Sequence, residues 1–180
     1  MSRGWWRRNR FPLIVTIVLL PVAVAGVGAW EWWKASQQSA VLPVEVAEGE
    51  TISFGGITFG PASSDLGVPG PDADLPPDAQ IVEVTVSVDR HGAATDCTVV
   101  VLRESGGAGR EWDPDTFSVG ADYRTHTLCP TDPASESFPD GEFTIEVPFV
   151  LPRGVEGPFE VDLVVLDQLP RFLRLDVGMP

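Results

Sequence analysis

The hydrophobic positions of the chain form one continuous block near the N-terminus and a series of short alternating runs after it. The block covers residues 11–29 and contains no charged side chain. About 20 apolar residues in a helix, at a rise of ~1.5 Å each, cross a hydrocarbon core of ~30 Å. Alternation with a period of two instead predicts strands with one buried and one solvated face. The pattern therefore predicts one transmembrane helix followed by an all-β domain.

The later runs predict the strands of this domain. Residues 81–88 alternate valine with polar side chains, and residues 143–149, 159–165 and 172–177 repeat the alternation. Residues 97–102 form a continuous apolar run, which is typical of a central strand. About seven short strands separated by turn residues favour an immunoglobulin-like antiparallel β-sandwich.

Glycine and proline predict how the first part of the domain is connected. Gly55 and Gly56 interrupt residues 51–59 and predict two short strand pieces joined by a turn or bulge. Residues 60–79 contain five prolines and no apolar period, so we expect a long surface loop there. Pro148 cannot donate to a sheet ladder, which predicts a sheet edge or a bulge at that position.

Tryptophan residues flank the apolar block on both sides. Indole rings concentrate at the headgroup layers of a bilayer, where a large apolar ring with one polar N–H is favoured. We therefore expect two sets of membrane-interface residues, with the lipid bilayer as their partner. They are Trp5 and Trp6 before the block, and Trp30, Trp32 and Trp33 after it.

Basic residues predict the orientation of this helix. All four arginines of the first ten residues precede the block, and the other side begins with Glu31 and a single Lys34. The positive-inside rule then places the N-terminus in the cytoplasm and the rest of the chain outside. We expect a cytoplasmic basic segment, a transmembrane helix with its tryptophans, a tether and an extracytoplasmic β-sandwich domain. Their ranges are 1–10, 11–33, 34–50 and 51–180.

The N-terminal segment has two further interpretations. In the first, it is a cleaved signal peptide: residues 11–20 are its apolar region, Pro21 breaks the helix, and Ala23 and Ala25 are the small residues before a cleavage site near Ala25. In the second, the small residues at 25–29 let another helix approach closely. The protein would then be an accessory subunit of a membrane complex. All three interpretations predict an exported domain.

Cys97 and Cys129 are the only cysteines, and both lie in the domain that we expect to be exported. An even pair in an oxidising compartment predicts a disulfide bond. Their spacing is not Cys-x-x-Cys, which argues against a redox pair. In the chain-entropy model, closing a loop of this length contributes ~3–4 kcal/mol of stability.

Charge disfavours one class of partner. From residue 40 onward the chain has 7 arginines, no lysine and 25 acidic residues, a net charge of −18. A domain this acidic repels phosphate backbones, so we expect no nucleic-acid partner. Acidity of this kind is typical of a solubility feature.

The sequence offers no recognisable catalytic set. Acyl transfer needs a Ser or Cys nucleophile, a His base and an acid that orients it. Both thiols are predicted to be bonded to each other, Gly-x-Ser-x-Gly does not occur, and His91 and His126 are the only imidazoles. We expect His91 in a turn, His126 facing solvent on a strand, and neither enzymatic activity nor a cofactor.

Aspartates near two turns could supply the oxygen ligands that calcium prefers. Neither group follows the EF-hand order, so we expect solvated turn residues and no metal site. The groups are Asp72, Asp74 and Asp78, and Asp113, Asp115 and Asp122. Trp112, between them in sequence, could anchor a ligand, but we expect it to fill the core.

The order of these features resembles that of the DUF4352 domains and related extracellular immunoglobulin-like sandwiches. The matching pieces are the long strand at residues 80–89, the Gly-Arg-Glu-Trp turn at 109–112 with Asp-Pro-Asp at 113–115, and Phe-Val-Leu-Pro at 149–152. The resemblance covers residues 50–177 at the level of pattern. It implies a fold and an exported location, and no common activity.

Together these features predict a membrane-tethered extracytoplasmic interaction module without catalytic activity. The expected partners are the lipid bilayer and an envelope protein, which such a domain would recognise through a sheet edge or its loops.

Overall fold

The computed structural model describes five parts of the chain, and the fold given below refers to them. These parts are residues 3–37, 39–92, 96–120, 129 and 141–180. The chain divides into two compact units, Met1–Ser39 and Ala40–Pro180.

The first unit is a single helix, α1, which spans Arg3–Gln37 and continues through Pro21 without interruption. A stretch of 26 residues within it, Asn9–Lys34, is long and apolar enough to cross a membrane. Trp6 and Trp30 lie 24 positions apart, which corresponds to ~36 Å of helix. That length is comparable to a bilayer core with part of its two headgroup layers. A signal sequence near an N-terminus also satisfies these criteria of length and composition.

The second unit is built almost entirely of strands, which form two sheets. The five-stranded sheet has the order β1-β9-β8-β5-β6, and the four-stranded sheet has the order β2-β3-β4-β7. The strands are β1 Leu42–Val46, β2 Ile52–Phe54, β3 Ile57–Gly67, β4 Ala79–Asp89, β5 Cys97–Glu104, β6 Glu111–Trp112, β7 Glu142–Pro152, β8 Phe159–Val165 and β9 Arg171–Gly178. A short 3₁₀ helix, Leu166–Gln168, joins β8 to β9.

The two sheets contribute to one hydrophobic core. The valines of β4 that alternate with polar residues are all at most 1% exposed, as the period-two pattern predicts. They pack with inward side chains of β7, β8 and β9, among them Phe149, Leu163 and Leu173, which are fully buried. One face of each sheet therefore forms the core, and the opposite faces carry the polar side chains.

Two expectations about strand number and direction are wrong. The described residues form nine strands and not about seven, and the pairing is not wholly antiparallel. β1 runs parallel to β9, with Leu42 opposite Arg171 and Val46 opposite Leu175. β1 also lies inside residues 34–50, which we expected to form a tether.

The expected loop at residues 60–79 is wrong in its first part. β3 continues to Gly67 and pairs with β4 after a bulge between Phe59 and Ala62. Ser64, which is not a strong strand former, is buried and donates a hydrogen bond of 3.1 Å to the carbonyl oxygen of Val177. Tertiary contacts therefore extend this strand beyond its local sequence preference.

The edge predicted from Pro148 is confirmed. β7 is the last strand of its sheet, and its outer side contacts a short segment instead of another long strand. Pro114 forms an isolated bridge with Phe149, and the N–H of Asp115 donates a 3.0 Å hydrogen bond to the carbonyl oxygen of Pro148. The predicted turn at Gly55 and Gly56 is also confirmed, because β2 and β3 pair on either side of it.

Candidate functional site

The outward face of the four-stranded sheet contains a shallow depression with a volume of about 650 Å³. We call it the polar depression, because hydroxyl, carboxylate and imidazole groups line it. The hydroxyls belong to Thr51, Thr58, Ser87 and Thr144. Asp89, Glu142 and His91 add two carboxylates and one imidazole.

The bulge in β3 explains why the surface is concave here. Between Phe59 and Ala62 the bulge leaves Ser87 without a directly paired residue on β3. Gly60, inside the bulge, adds no side chain, and its φ of 94° favours glycine. A Cβ atom at Gly60 would also overlap the carbonyl oxygen of Glu50. The depression thus depends on a glycine that no other residue can replace without strain.

Strand register brings the polar groups into one row across three strands. Thr58 on β3 lies opposite Asp89 on β4, and Asp89 lies opposite Glu142 on β7. Ser87 and Thr144 form the next row toward the middle of the sheet. Neighbouring strands are ~4.8 Å apart, so the groups of one row can contact the same small ligand.

His91 follows β4 in a tight turn and joins this row. Its Nε2 lies 3.0 Å from the hydroxyl oxygen of Thr58, and its Nδ1 lies 3.3 Å from a carboxylate oxygen of Asp89. The backbone N–H of His91 also donates a 3.1 Å hydrogen bond to Asp89. His91 has a φ of 47°, which is uncommon for a residue other than glycine. The Asp89 side chain therefore holds both the backbone and the ring of His91.

The order hydroxyl, imidazole, carboxylate is also that of acyl-transfer triads. Such triads gain most of their effect from preorganised donors in a site that excludes water. The side chain of His91 is 57% exposed and lies on an open surface. The arrangement is consequently better suited to hydrogen bonding of a polar ligand than to nucleophilic catalysis.

A second surface is formed by two loops, residues 68–78 and 113–120, which we call the loop pair. The N–H of Gly70 donates a 2.8 Å hydrogen bond to the carbonyl oxygen of Val119, and Asp74 donates one of 2.9 Å to Ser118. Val119 is fully buried. A Cβ on Gly120 would lie 3.0 Å from the Cα of Gly70, so only glycine permits this approach.

Phe117 is the most exposed large hydrophobic residue of the loop pair, at 95%. The turn that carries it is fixed by Asp115, whose carboxylate accepts hydrogen bonds from the N–H groups of Phe117 (3.1 Å) and Ser118 (2.9 Å). The hydrogen bond from the Ser118 N–H is the main cause that lowers the pKa of Asp115, and partial burial opposes it. The exposed ring of Phe117 thus belongs to a turn whose backbone is fixed by hydrogen bonds.

The outward face of the five-stranded sheet has a different electrostatic character. A row of alternating charges crosses all five strands, and Asp162 on the central strand β8 lies 2.7 Å from Nε of Arg174 on β9. Arg174 also lies 3.8 Å from Glu45 on β1, and its hydrogen bond to Asp162 raises its pKa. Arg103 on β5 lies 3.6 Å from Asp162 and contacts Glu111 on β6. The two arginines of this face therefore each pair with acids of neighbouring strands.

The structure contains the Cys97–Cys129 disulfide. Both cysteines are 2% exposed and belong to the hydrophobic core. The core position predicted for Trp112 is confirmed in part, since its ring packs against the core, edge-to-face on Phe159 with centroids 6.1 Å apart. Trp112 is only partly buried, and the guanidinium of Arg110 lies 5.6 Å from its ring.

The remaining candidate residues are placed as follows. Within the ranges that the structure describes, no group of three or more His, Cys, Asp or Glu residues could hold a metal ion. Asp122 and His126 lie outside the described residues. Trp30, Trp32 and Trp33 are exposed on α1, and Trp5 and Trp6 belong to its first turns. Their contact with a membrane interface stays a prediction.

Sequence analysis missed three features of these surfaces. The bulge at Gly60 was indicated by a Gly-Pro pair inside an alternating run, a signal that we assigned to a loop. The contact between the two loops gives no local signal. Arg90 follows β4 and is 1% exposed, which an arginine in a predicted turn does not suggest. Burial lowers the pKa of Arg90, and the charge of Asp96 opposes this effect.

Comparisons with family models, with curated proteins and with solved structures found no match to this chain.

Proposed function

We propose that this protein is a membrane-anchored, non-catalytic interaction module whose exported domain recognises an envelope protein through the loop pair. The observation that carries the proposal is Phe117, a 95% exposed ring on a backbone fixed by hydrogen bonds. Aromatic side chains are enriched among the residues that dominate binding energy at interfaces. A preformed turn binds with little additional ordering cost, which favours affinity.

Charge supports a partner of defined chemistry. The loop pair contains five aspartates and no lysine or arginine. A complementary surface would have an apolar pocket for Phe117 with basic residues around it, since opposite potentials accelerate association and exclude wrong partners. The expected partner is therefore a protein with a basic, partly apolar surface on the outer side of the membrane.

The anchor and the side of the membrane are part of the proposal. The apolar length of Asn9–Lys34, the tryptophans near both of its ends and the arginines before it support a retained helix with a cytoplasmic N-terminus. The buried disulfide supports an oxidising compartment for the domain. Two sheets that share one core, with seven of the nine described strands longer than three residues, support an immunoglobulin-like sandwich.

Site-specific photocrosslinking in the native membrane tests the recognition surface. A photoreactive phenylalanine analogue at position 117 preserves the size of the ring, and the same analogue at position 166 is the matched control. Leu166 is also a large exposed hydrophobic residue, at 50%, but lies in the 3₁₀ helix after β8. We expect a discrete crosslinked protein from position 117 and none from position 166.

Two outcomes would contradict the proposal. The first is the absence of any discrete adduct from position 117 after irradiation of intact cells. The second is the same adduct pattern from both positions, which would indicate random collision.

Digestion of intact spheroplasts with an added protease should remove the domain, and full protection of residues 40–180 would contradict the extracytoplasmic location.

A further inference from the structure

We propose that the polar depression is a binding site for a saccharide, a role that the interaction function of the loop pair does not include. The site lies on the outward face of the four-stranded sheet and does not involve Phe117. Five of its seven polar groups lie on three neighbouring strands in fixed register, so the backbone sets their spacing, and Thr51 and His91 lie just outside these strands. The two surfaces can therefore be tested independently.

The first argument is the balance of hydrogen-bonding groups. Four hydroxyls can each donate and accept, and two carboxylates accept, whereas both ring nitrogens of His91 already contact Thr58 and Asp89. A ligand with several adjacent hydroxyl groups presents donors and acceptors in the same mixture. Few other small ligands could satisfy such a set on a surface that has no metal ligand cluster among the described residues.

The second argument is the pair of like charges in one row. Asp89 and Glu142 lie directly opposite each other on β4 and β7, an arrangement that disfavours the sheet. The Nδ1 atom of His91 lies 3.3 Å from Asp89, whereas Glu142 forms no ion pair with any residue that the structure describes. Hydroxyl donors from a ligand would stabilise both carboxylates. On the five-stranded sheet, by contrast, Arg174 and Arg103 already pair with the acids.

The third argument is the shape of the depression and its apolar groups. Pro61 is exposed and lines it beside the polar row, and Phe143, which packs against the core, is only partly buried at its edge. A pyranose or furanose ring has C–H groups that can lie on such surfaces while its hydroxyls reach the polar side chains. An open, shallow site also suits one or a few units of a longer chain.

Two other classes of ligand fit the polar depression less well: anionic ligands and basic side chains. The two carboxylates would repel phosphate or carboxylate ligands. A lysine or arginine side chain would pair with the carboxylates, but it has no acceptor for the hydroxyl donors. The hydroxyl groups of a neutral saccharide can bind both the hydroxyls and the carboxylates of the site.

Saturation-transfer NMR on the full chain in lipid nanodiscs tests the proposal. Nanodiscs are needed because maltoside and glucoside detergents carry sugars that would compete for the site. The neutral probes are maltotriose, cellotriose and arabinotriose, the anionic probe is tri-galacturonic acid, and trilysine represents a basic peptide. We expect saturation of at least one neutral trisaccharide above that in empty nanodiscs, and at least tenfold weaker binding of tri-galacturonic acid.

Variants locate the binding. Thr58→Val removes one hydroxyl, and Glu142→Gln removes one charge while it keeps the shape of the side chain. Each should weaken binding of the saturated trisaccharide by about three- to tenfold, the effect of one net hydrogen bond. Glu146→Gln is the matched control, because Glu146 lies on the same face of β7 outside the depression. Its affinity should stay within about twofold of the parent protein.

The proposal is overturned if no neutral trisaccharide is saturated above empty nanodiscs, or if Glu142→Gln and Glu146→Gln have equal effects. Binding of trilysine in place of the trisaccharides would also overturn it, in favour of a basic peptide. Circular dichroism melting verifies that each variant is folded. If Thr58→Val does not fold, Glu142→Gln against its control decides the outcome. Phe117→Ala should leave saccharide binding unchanged. A failure of protein recognition by the loop pair can therefore be distinguished from a failure of saccharide binding.

Discussion

Arg174 and Asp162 form a two-point ion pair on the outward face of the five-stranded sheet, with Nε to Oδ1 at 2.7 Å and Nη2 to Oδ2 at 3.0 Å. Asp162 is 5% exposed, so its carboxylate depends on the guanidinium for most of its hydrogen bonds. Arg103, 3.6 Å away, is its second cationic neighbour. The pair joins β8 to β9 near the middle of the sheet.

Arg174→Met should destabilise the protein by about 3 kcal/mol, because it leaves a buried carboxylate without its main partner. Urea unfolding of the parent and variant proteins measures the change. Arg171→Met is the matched control: Arg171 is on the same strand, and it is exposed and forms no ion pair among the described residues. The free energy of unfolding of this control variant should decrease by less than about 1 kcal/mol. An equal decrease in the free energy of unfolding of both variants would mean that the ion pair with Asp162 does not stabilise the protein specifically.

Gly60 should be far less tolerant of alanine than Gly56. Both residues have positive φ, 94° and 83°, so both substitutions strain the backbone. Only the Cβ at position 60 would overlap another atom, the carbonyl oxygen of Glu50, whereas position 56 has open space. We expect a loss of about 1 kcal/mol for Gly56→Ala and at least about 2 kcal/mol more for Gly60→Ala. Thermal unfolding measures both, and similar melting temperatures would contradict the close approach.

Acid should loosen the turn that carries Phe117. The pKa of Asp115 is lower in the folded state than in the unfolded state, so its contribution is present above the unfolded value of ~3.9. It is lost as the pH falls through the lower, folded pKa. Above pH ~5, Asp115→Ala should cost about 1 kcal/mol, the usual loss for a carboxylate that accepts backbone N–H bonds.

Asp115→Asn is the control for this effect, because it keeps an acceptor oxygen and removes the charge. The stability difference between the parent protein and Asp115→Ala should shrink below pH ~4. The difference between Asp115→Asn and Asp115→Ala should stay constant over the same range. Urea unfolding at several pH values provides both curves, and a parent curve parallel to that of Asp115→Asn would refute the assignment.

The mature protein should retain its N-terminal helix and its disulfide. Intact-mass measurement of the 19.4 kDa chain, purified from membranes, reads both properties at once. Reduction followed by alkylation should add two labels, and alkylation without reduction should add none, because Cys97 and Cys129 are bonded. A chain that begins near Gly26 would instead establish the signal-peptide interpretation.

Sequence reasoning succeeded where the signal was local. The alternation of valine in residues 81–88 predicted β4, because side chains of a strand point to opposite faces in turn. The Gly55-Gly56 turn and the edge position of Pro148 followed from backbone constraints of single residues. The helix α1 followed from a charge-free block, although it begins and ends beyond the predicted bounds of 11 and 33.

Sequence reasoning failed where the structure depends on contacts between residues that are distant in the sequence. β1 is short and contains Pro43, and its sheet partner among the described strands, β9, is more than 120 positions away in the sequence. Gly70 and Val119 give no sign in the sequence that their loops meet. The polar depression arises from the register of three strands and one bulge. Its members, such as Thr58 and Glu142, look like ordinary solvent-facing residues of separate strands.

The position of β9 has a consequence for how the domain is made. Although β9 comes last among the strands, it lies between β1 and β8 in its sheet. During synthesis β1 emerges early, but the strand with which it pairs, β9, emerges only with Arg171–Gly178. The five-stranded sheet is therefore completed only after nearly the whole domain has been synthesised, and until then β1 must be kept from pairing with other chains.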